Sequence, residues 1–311
     1  MDNVVEILNL SKDYELGFWR KRKVRALDDL SLTVKRGQIF GFLGGNGAGK
    51  TTTIKILMSL LFPTSGTGRI LGTDIADFKM HSRIGYCPEN PYFYDYLTAT
   101  ELMNYFGELF GMDPARRKNA ASDLLTRVGL DERDWNKQLR KFSKGMLQRV
   151  GLAQALINDP EIVFLDEPMS GLDPIGRREV RELIEGLRKK GTTVFMSTHI
   201  LSDVEALCDE VAILRRGKLA ATGNLDELLT THSGEQVYEI SLKGVTADAL
   251  AAKFPAATVS ATASGAKIEV VSEDDMDKVL AEARAAGGHL ISVQAVRQSL
   301  EELFVEKTDA A

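Results

Sequence analysis

Hydrophobic positions along the chain change period several times, and each change marks an element. "VVEILNL" near the start alternates toward a turn, as a half-buried strand does. "RALDDLSLTVKRGQIFGFLG" reads as a short strand, a turn at Arg36 and Gly37, and a buried strand running into glycines. The pattern then turns helical over 51–61, and "GRILG" follows as a short strand. From about 98 to 158 the period is mostly helical, through "TATELMNYFGELFGM", "ARRKNAASDLLTRVG" and "SKGMLQRVGLAQALI". Thr98 with Glu101 three residues on has the form of a capping box. "EIVFLDEP" and "TTVFMSTH" are apolar strands ending in polar residues, each followed by a helix, "REVRELIEGLRKKG" and "ILSDVEALC", and "DEVAILRRGKLAATG" closes as a hairpin. Short apolar strands alternating with amphipathic helices predict an α/β core with a helical block inserted into it.

The texture changes after Gly223. Strands are expected over 237–242, 258–262, 266–271 and 290–296, and helices over 246–254, 274–286 and 300–306. That β-α-β-β-α-β order, with a last helix, predicts a small ferredoxin-like α+β domain at 231–311 behind a larger domain at 1–230. It has no glycine-rich loop and no His/Cys/Asp cluster, so no chemistry is expected of it.

Composition narrows the class. With 311 residues, 44% hydrophobic and 27% charged, the chain is long enough for one large core and a smaller one. A net charge of −5 argues against a nucleic-acid partner, since phosphate backbones call for a basic field. Two cysteines, Cys87 and Cys208, build no disulfide framework and suit a reducing compartment. Neither a signal peptide nor a membrane span is expected, because the longest apolar runs, such as "IKILMSLLF", fall well short of a span.

"GGNGAGKTT", from Gly44 to Thr52, fits G-x-x-x-x-G-K-[ST] and has the required context of strand before and helix after. Glycines let successive amides turn toward phosphate oxygens, and the helix N-terminus adds its dipole. Gly44, Asn46, Gly47, Ala48, Gly49, Lys50, Thr51 and Thr52 are therefore candidate nucleotide contacts. Lys50 is expected to reach the β- and γ-phosphates, and Thr51 to hold Mg2+. A second magnesium anchor is expected at the end of a buried strand, which "IVFLDEP" supplies in Asp166, acting through water. Glu167 beside it is the candidate to polarise the attacking water; adjacent acids that merely cap a strand exit are the bland alternative. His199 ends a parallel strand and is the candidate to contact the γ-phosphate and orient that water, although a histidine at a strand end is commonly incidental.

Taken in order, these residues resemble the ATP-binding cassette ATPases, the nucleotide-binding subunits of ABC transporters, over roughly residues 4–230. "FSKGMLQR" at 142–149 resembles the family's signature segment, and "SGLDP" at 170–174 the loop after the catalytic glutamate. The resemblance implies that Asp166, Glu167 and His199 are the Walker B aspartate, catalytic base and switch histidine. It implies too that Ser143, Lys144, Gly145 and Met146 face the γ-phosphate of an ATP held by a second subunit, with Asp173 nearby. It further implies ATP and Mg2+ as cofactors, a head-to-tail homodimer or a paralogous cassette, and a separate integral membrane permease. The whole chain, with "SLEELF" at 299–304, looks most like cassettes of bacterial ABC-2-type exporters, placed in the cytoplasm on the inner face of the membrane. The rival in another class is a soluble family member with a regulatory or assembly role. Such members usually carry two fused cassettes or a long coiled-coil insertion, and neither is legible here.

Three departures and three open assignments accompany the resemblance. Gly45 stands where proline is common, and Lys144 replaces the first glycine of the signature pair, where it either attracts the γ-phosphate or points outward. Tyr14 matches the aromatic that stacks on adenine, but "ELGFWRKRKV" follows as an insertion and puts Phe18 and Trp19 in competition; the basic run from Arg20 to Lys23 reads as a solvated hairpin, a lipid contact or a partner contact. In "IGYCPENPYFYDYLT" at 84–98, Glu89 stands where the family has a γ-phosphate-sensing glutamine, and it is the third candidate magnesium ligand and a catalytic candidate. A carboxylate keeps the oxygen and loses the amide donor. Tyr86 is expected in the core. Tyr92, Phe93, Tyr94 and Tyr96 are expected to receive a transporter's coupling helix, the alternative being that at least two of them pack beneath the helical block.

Overall fold

The computed structural model describes residues 2–17, 22–228 and 237–296. The chain divides into two compact units, Met1–Leu225 and Asp226–Ala311.

The first unit opens with β1 (Asn3–Leu16) and β2 (Arg22–Lys35), a long hairpin, followed by β3 (Ile39–Leu43), α1 (Lys50–Leu57), β4 (Ser65–Ile70), β5 (Thr73–Asp74) and β6 (Ile84–Cys87). The helical block is α2 (Ala99–Leu109), α3 (Pro114–Arg127) and α4 (Lys144–Ala155). Then come β7 (Ile162–Asp166), α5 (Pro174–Lys189), β8 (Thr193–Thr198), α6 (Leu201–Leu207), β9 (Glu210–Arg215) and β10 (Lys218–Asn224). One sheet has the order β2-β1-β4-β5, and the other has six strands in the order β10-β9-β3-β8-β7-β6. In the latter, β9, β3, β8, β7 and β6 pair in parallel and β10 adds an antiparallel edge.

β3, β7 and β8 are buried at every position, which is why they read as continuous apolar runs rather than alternating ones. Phe40, Phe42 and Phe164 surround Phe195 with ring centroids 5.5, 5.2 and 5.3 Å away. Each such buried side chain contributes about 1.5–3 kcal/mol before the entropy of ordering it is subtracted. The effect is to fix the carboxyl ends of β3, β7 and β8 side by side, the edge at which open parallel sheets place ligands.

Helix limits follow local chemistry. Thr98 and Glu101 form the expected capping box on α2, and Asp113, Ser143 and Asp173 cap α3, α4 and α5. α5 starts four residues before the apolar pattern does, because Asp173 accepts from the Gly176 amide and Pro174 occupies the first turn. α1 ends at Leu57 rather than near 61. Ser59 adopts a left-handed φ of 55° and its hydroxyl bonds the Ile75 carbonyl, while the Leu60 amide reaches back to Lys55 O at 2.8 Å. This is a left-handed helix stop made without glycine.

After α7 (Leu225–Leu228), the second unit contains β11 (Val237–Lys243), α8 (Ala247–Lys253), β12 (Thr258–Thr262), β13 (Gly265–Val270), α9 (Glu273–Ala285) and β14 (His289–Val296). Its sheet has the order β12-β13-β11-β14, every pair antiparallel. Ile240, Leu242, Ala266, Ile268 and Val270 alternate onto one face and form a core with Leu250, Val279 and Ala283 of the two helices. The last expected helix, 300–306, and the segment 299–304 lie outside the described residues.

Candidate nucleotide site

The loop between β3 and α1 bends where its sequence demands it. Gly49, at the start of α1, has φ of 110°, and a Cβ there would meet Ala26 O and Leu27 Cδ2 at 2.7 Å. Only glycine satisfies both the dihedral and the contact. A cavity of about 420 Å3 opens above this turn, lined by residues 45–52 with Ala26, Glu89, Glu167 and His199. Nothing lies within 4 Å of a Cβ added at Gly45, so the loop has room there for the proline it lacks.

Three charged or polar side chains converge in the cavity. The Lys50 ammonium donates to Gly44 O at 2.7 Å and lies 3.2 Å from Glu167 Oε1, and the two side chains are only 7% and 8% exposed. The other carboxylate oxygen, Glu167 Oε2, is 2.8 Å from His199 Nδ1. His199 is half exposed and stands at the mouth. Glu167 itself holds a left-handed φ of 51°, rare for a residue with a side chain. Strain of this kind concentrates at sites where geometry serves chemistry.

Asp166, the last residue of β7, is 1% exposed and is not among the residues that line the cavity. Its Oδ1 accepts from Ser197 Oγ at 2.5 Å, while Oδ2 is buried without a partner among the described residues. A carboxylate so placed is costly unless a cation faces it. Burial pushes the neighbouring Tyr86 hydroxyl and Cys87 thiol above their ordinary values, and the charge of Asp166 adds to both.

The remaining predicted residues lie elsewhere in the unit. Tyr14 does not line the cavity; its ring sits 5.4 Å from the Lys12 ammonium, on the long hairpin opposite Val24. Phe18, Trp19, Arg20 and Lys21 lie outside the described residues, while Arg22 and Lys23 open β2. Ser143 caps α4 and accepts from the Met146 amide at 3.2 Å, and Gly145 packs near the loop after Met169. Lys144 runs along that loop: a Cβ on Gly171 would be 2.9 Å from Lys144 Cδ, and its ammonium is 3.5 Å from Ser170 Oγ. Asp173 is an N-cap.

The aromatic stretch splits into three environments. Tyr86 is partly buried against the main core. Tyr92, 99% exposed, and Phe93 border a second, apolar cavity of about 390 Å3 with Leu60, Phe106 and Phe110. Tyr94 and Tyr96 do not line it; they contact one another at 5.9 Å, and Tyr94 meets Tyr105 edge-on at 6.2 Å. The sequence reading also missed Ala26, which lines the first cavity, and Ser197, which holds Asp166. The alignment of "LDEP" with "MSTH" at the ends of adjacent parallel strands is the signal that pairs Ser197 with Asp166.

Comparison with known proteins agrees with this geometry. Residues 27–170 match the family described as ABC transporter, and residues 223–308 match one described as ATP-binding protein DrrA1-3-like, C-terminal domain. An uncharacterized ABC transporter ATP-binding protein of Synechocystis sp. is 45% identical, over 98% of this chain and 84% of that protein. The bacitracin transport ATP-binding protein BcrA of Bacillus licheniformis is 42% identical, over 73% of this chain and 72% of that protein. Among solved structures, the ATP-binding cassette MJ0796, a dimer in a post-hydrolysis state bound to ADP and Pi, superposes with a TM-score of 0.66 at 26% identity. That match covers 71% of this chain and 98% of that one.

Proposed function

This chain belongs to the family of ABC transporter ATP-binding proteins, and we propose that it drives a separate ABC-2-type exporter permease by hydrolysing ATP at the cavity around Lys50. It is an ATPase of the cassette type, and cassettes of its kind dimerise. The observation that carries the site assignment is the placement of one carboxylate, Glu167, between Lys50 and His199.

The roles follow from that arrangement. An incoming phosphate competes with Glu167 for the Lys50 ammonium, so nucleotide binding frees the carboxylate. Glu167 then accepts a proton from the water that attacks the γ-phosphate, and His199 steadies the carboxylate through Nδ1. Residues 44–52 supply amides to the phosphates. Thr51, Glu89 and, through water, Asp166 would hold Mg2+, whose charge would offset that of the phosphates. The unpartnered Asp166 Oδ2 fits that role. Among the described residues no group of three or more His, Cys, Asp or Glu would hold a metal alone, so the nucleotide's own oxygens are needed. Ser143, Lys144, Gly145, Met146 and Asp173 serve the ATP of a second copy, with Tyr14, Phe18 and Trp19 as the alternative aromatics for adenine.

No helix among the described residues is long and apolar enough to cross a membrane. We place the transport path in a separate permease, as the family resemblance implies, with this chain held by it at the cytoplasmic face of the membrane. The apolar cavity bordered by Tyr92 and Phe93 is the docking place for that partner. Relatives named for bacitracin transport and linearmycin resistance favour export. The β12-β13-β11-β14 order, with a helix after β11 and another after β13, favours the ferredoxin-like description of the domain at 231–311. Purification in detergent from the source membranes tests the reading: a multispanning protein co-purifies and stimulates ATP turnover, and repeated recovery of the chain without one refutes it.

A further inference from the structure

We propose that Ser197 is a positioning residue for ATP hydrolysis, its hydroxyl turning the Asp166 carboxylate so that Oδ2 is left for the magnesium–nucleotide. The proposal rests on the reading of Asp166 as the magnesium anchor. Its basis is the register of two strands. β7 and β8 are parallel with Asp166 opposite Ser197, so the serine side chain emerges beside the aspartate on a fully buried strand.

A serine hydroxyl has one proton to donate and lone pairs to accept with. Here the proton goes to Asp166 Oδ1 at 2.5 Å, and the oxygen accepts from the Glu167 amide at 3.2 Å. One side chain thus touches both acids of the site. The two contacts differ in what replaces them. The Glu167 amide also reaches Ser197 O, at 3.1 Å, so the left-handed backbone at Glu167 keeps a hydrogen bond without the hydroxyl. Asp166 Oδ1 has no second partner in view, and the terminal torsion of an aspartate is broad. Removing the hydroxyl therefore frees the Asp166 carboxylate to rotate and leaves both its oxygens unpaired in a buried place. Groups that orient a metal ligand in this way govern metal affinity more than they govern the fold.

The test uses the full chain and a fluorescent ATP analogue, with binding measured against free Mg2+ and in EDTA. Ser197→Ala, Asp166→Asn and the double variant are compared with the parent. Ser197→Ala raises the Mg2+ concentration at half-saturation about ten- to a hundredfold and leaves binding in EDTA unchanged, which also reports that the site is folded. In the Asp166→Asn background the same change has no further effect, because the two act as one unit. The proposal is overturned by a half-saturation in Ser197→Ala equal to that of the parent. It is equally overturned by a loss that is the same with and without Mg2+, or by effects that add in the double variant. A parent chain whose nucleotide affinity ignores Mg2+ contradicts instead the assignment of Asp166 on which the proposal stands.

Discussion

The two units are built by the same rules and differ in how completely they obey them. In the unit at 226–311, apolar residues alternate onto the helix-covered face of an antiparallel sheet, and its surface ion pairs, such as Lys267 with Glu239 at 2.8 Å, are half exposed. No described side chain there leaves a buried nitrogen or oxygen unpartnered, and no described residue other than glycine has a left-handed backbone. The unit at 1–225 breaks each rule at several described residues, Ser59 and Asp203 among them, and breaks both in neighbouring residues at Asp166 and Glu167. Glu167 has a φ of 51°, and the Asp166 oxygen beside it is buried without a partner. A single such residue can be a turn, as Ser59 is, but two costs in neighbouring acids at the ends of buried strands point to chemistry, and a sheet without them needs only packing to explain it.

That contrast breaks down if a substitution at the costly place is harmless, or if one in the satisfied unit stops catalysis. The largest effect is expected at Lys50. Lys50→Ala removes the charge that faces the phosphates and leaves Glu167 buried without its cation, so turnover falls about a hundredfold or more in a coupled phosphate-release assay. A smaller change is expected at Glu89, which lines the cavity and is only partly buried. Glu89→Gln keeps an oxygen, gains a donor and loses a charge. Hydrolysis continues with an altered magnesium requirement, and an inactive variant would assign Glu89 a stricter role. The smallest effect on turnover is expected in the second unit. Ile268 is fully buried, so Ile268→Ala costs about 2–5 kcal/mol of that unit's stability, read by denaturant unfolding, while ATP turnover stays at the parent level.

Much of this was legible in the chain because the informative residues are close in sequence. The loop 44–52 and the pair Asp166–Glu167 declare themselves by spacing, since glycine, lysine and hydroxyl must follow a strand at fixed offsets. The capping box of α2 was readable for the same reason. The contributions of Ser197 and Ala26 were not, because they depend on which strands lie side by side and in what register, which no local pattern states. The ends of α1 and α5 shifted through single side chains, Ser59 and Asp173, that outweigh the apolar period. The division of the four aromatics was also hidden: whether a tyrosine borders an apolar cavity or meets Tyr105 edge-on depends on how Tyr105 and Phe106 of α2 come back against the stretch.

The most direct test of the account is the mass of the full-length Glu167→Gln variant by light scattering, with ATP and Mg2+ and again with ADP. Glutamine keeps the shape and loses the base, so bound ATP persists. The account predicts a dimer with ATP, a monomer with ADP, and turnover lowered about a hundredfold or more. Turnover at the parent rate, or a monomer under both conditions, contradicts it.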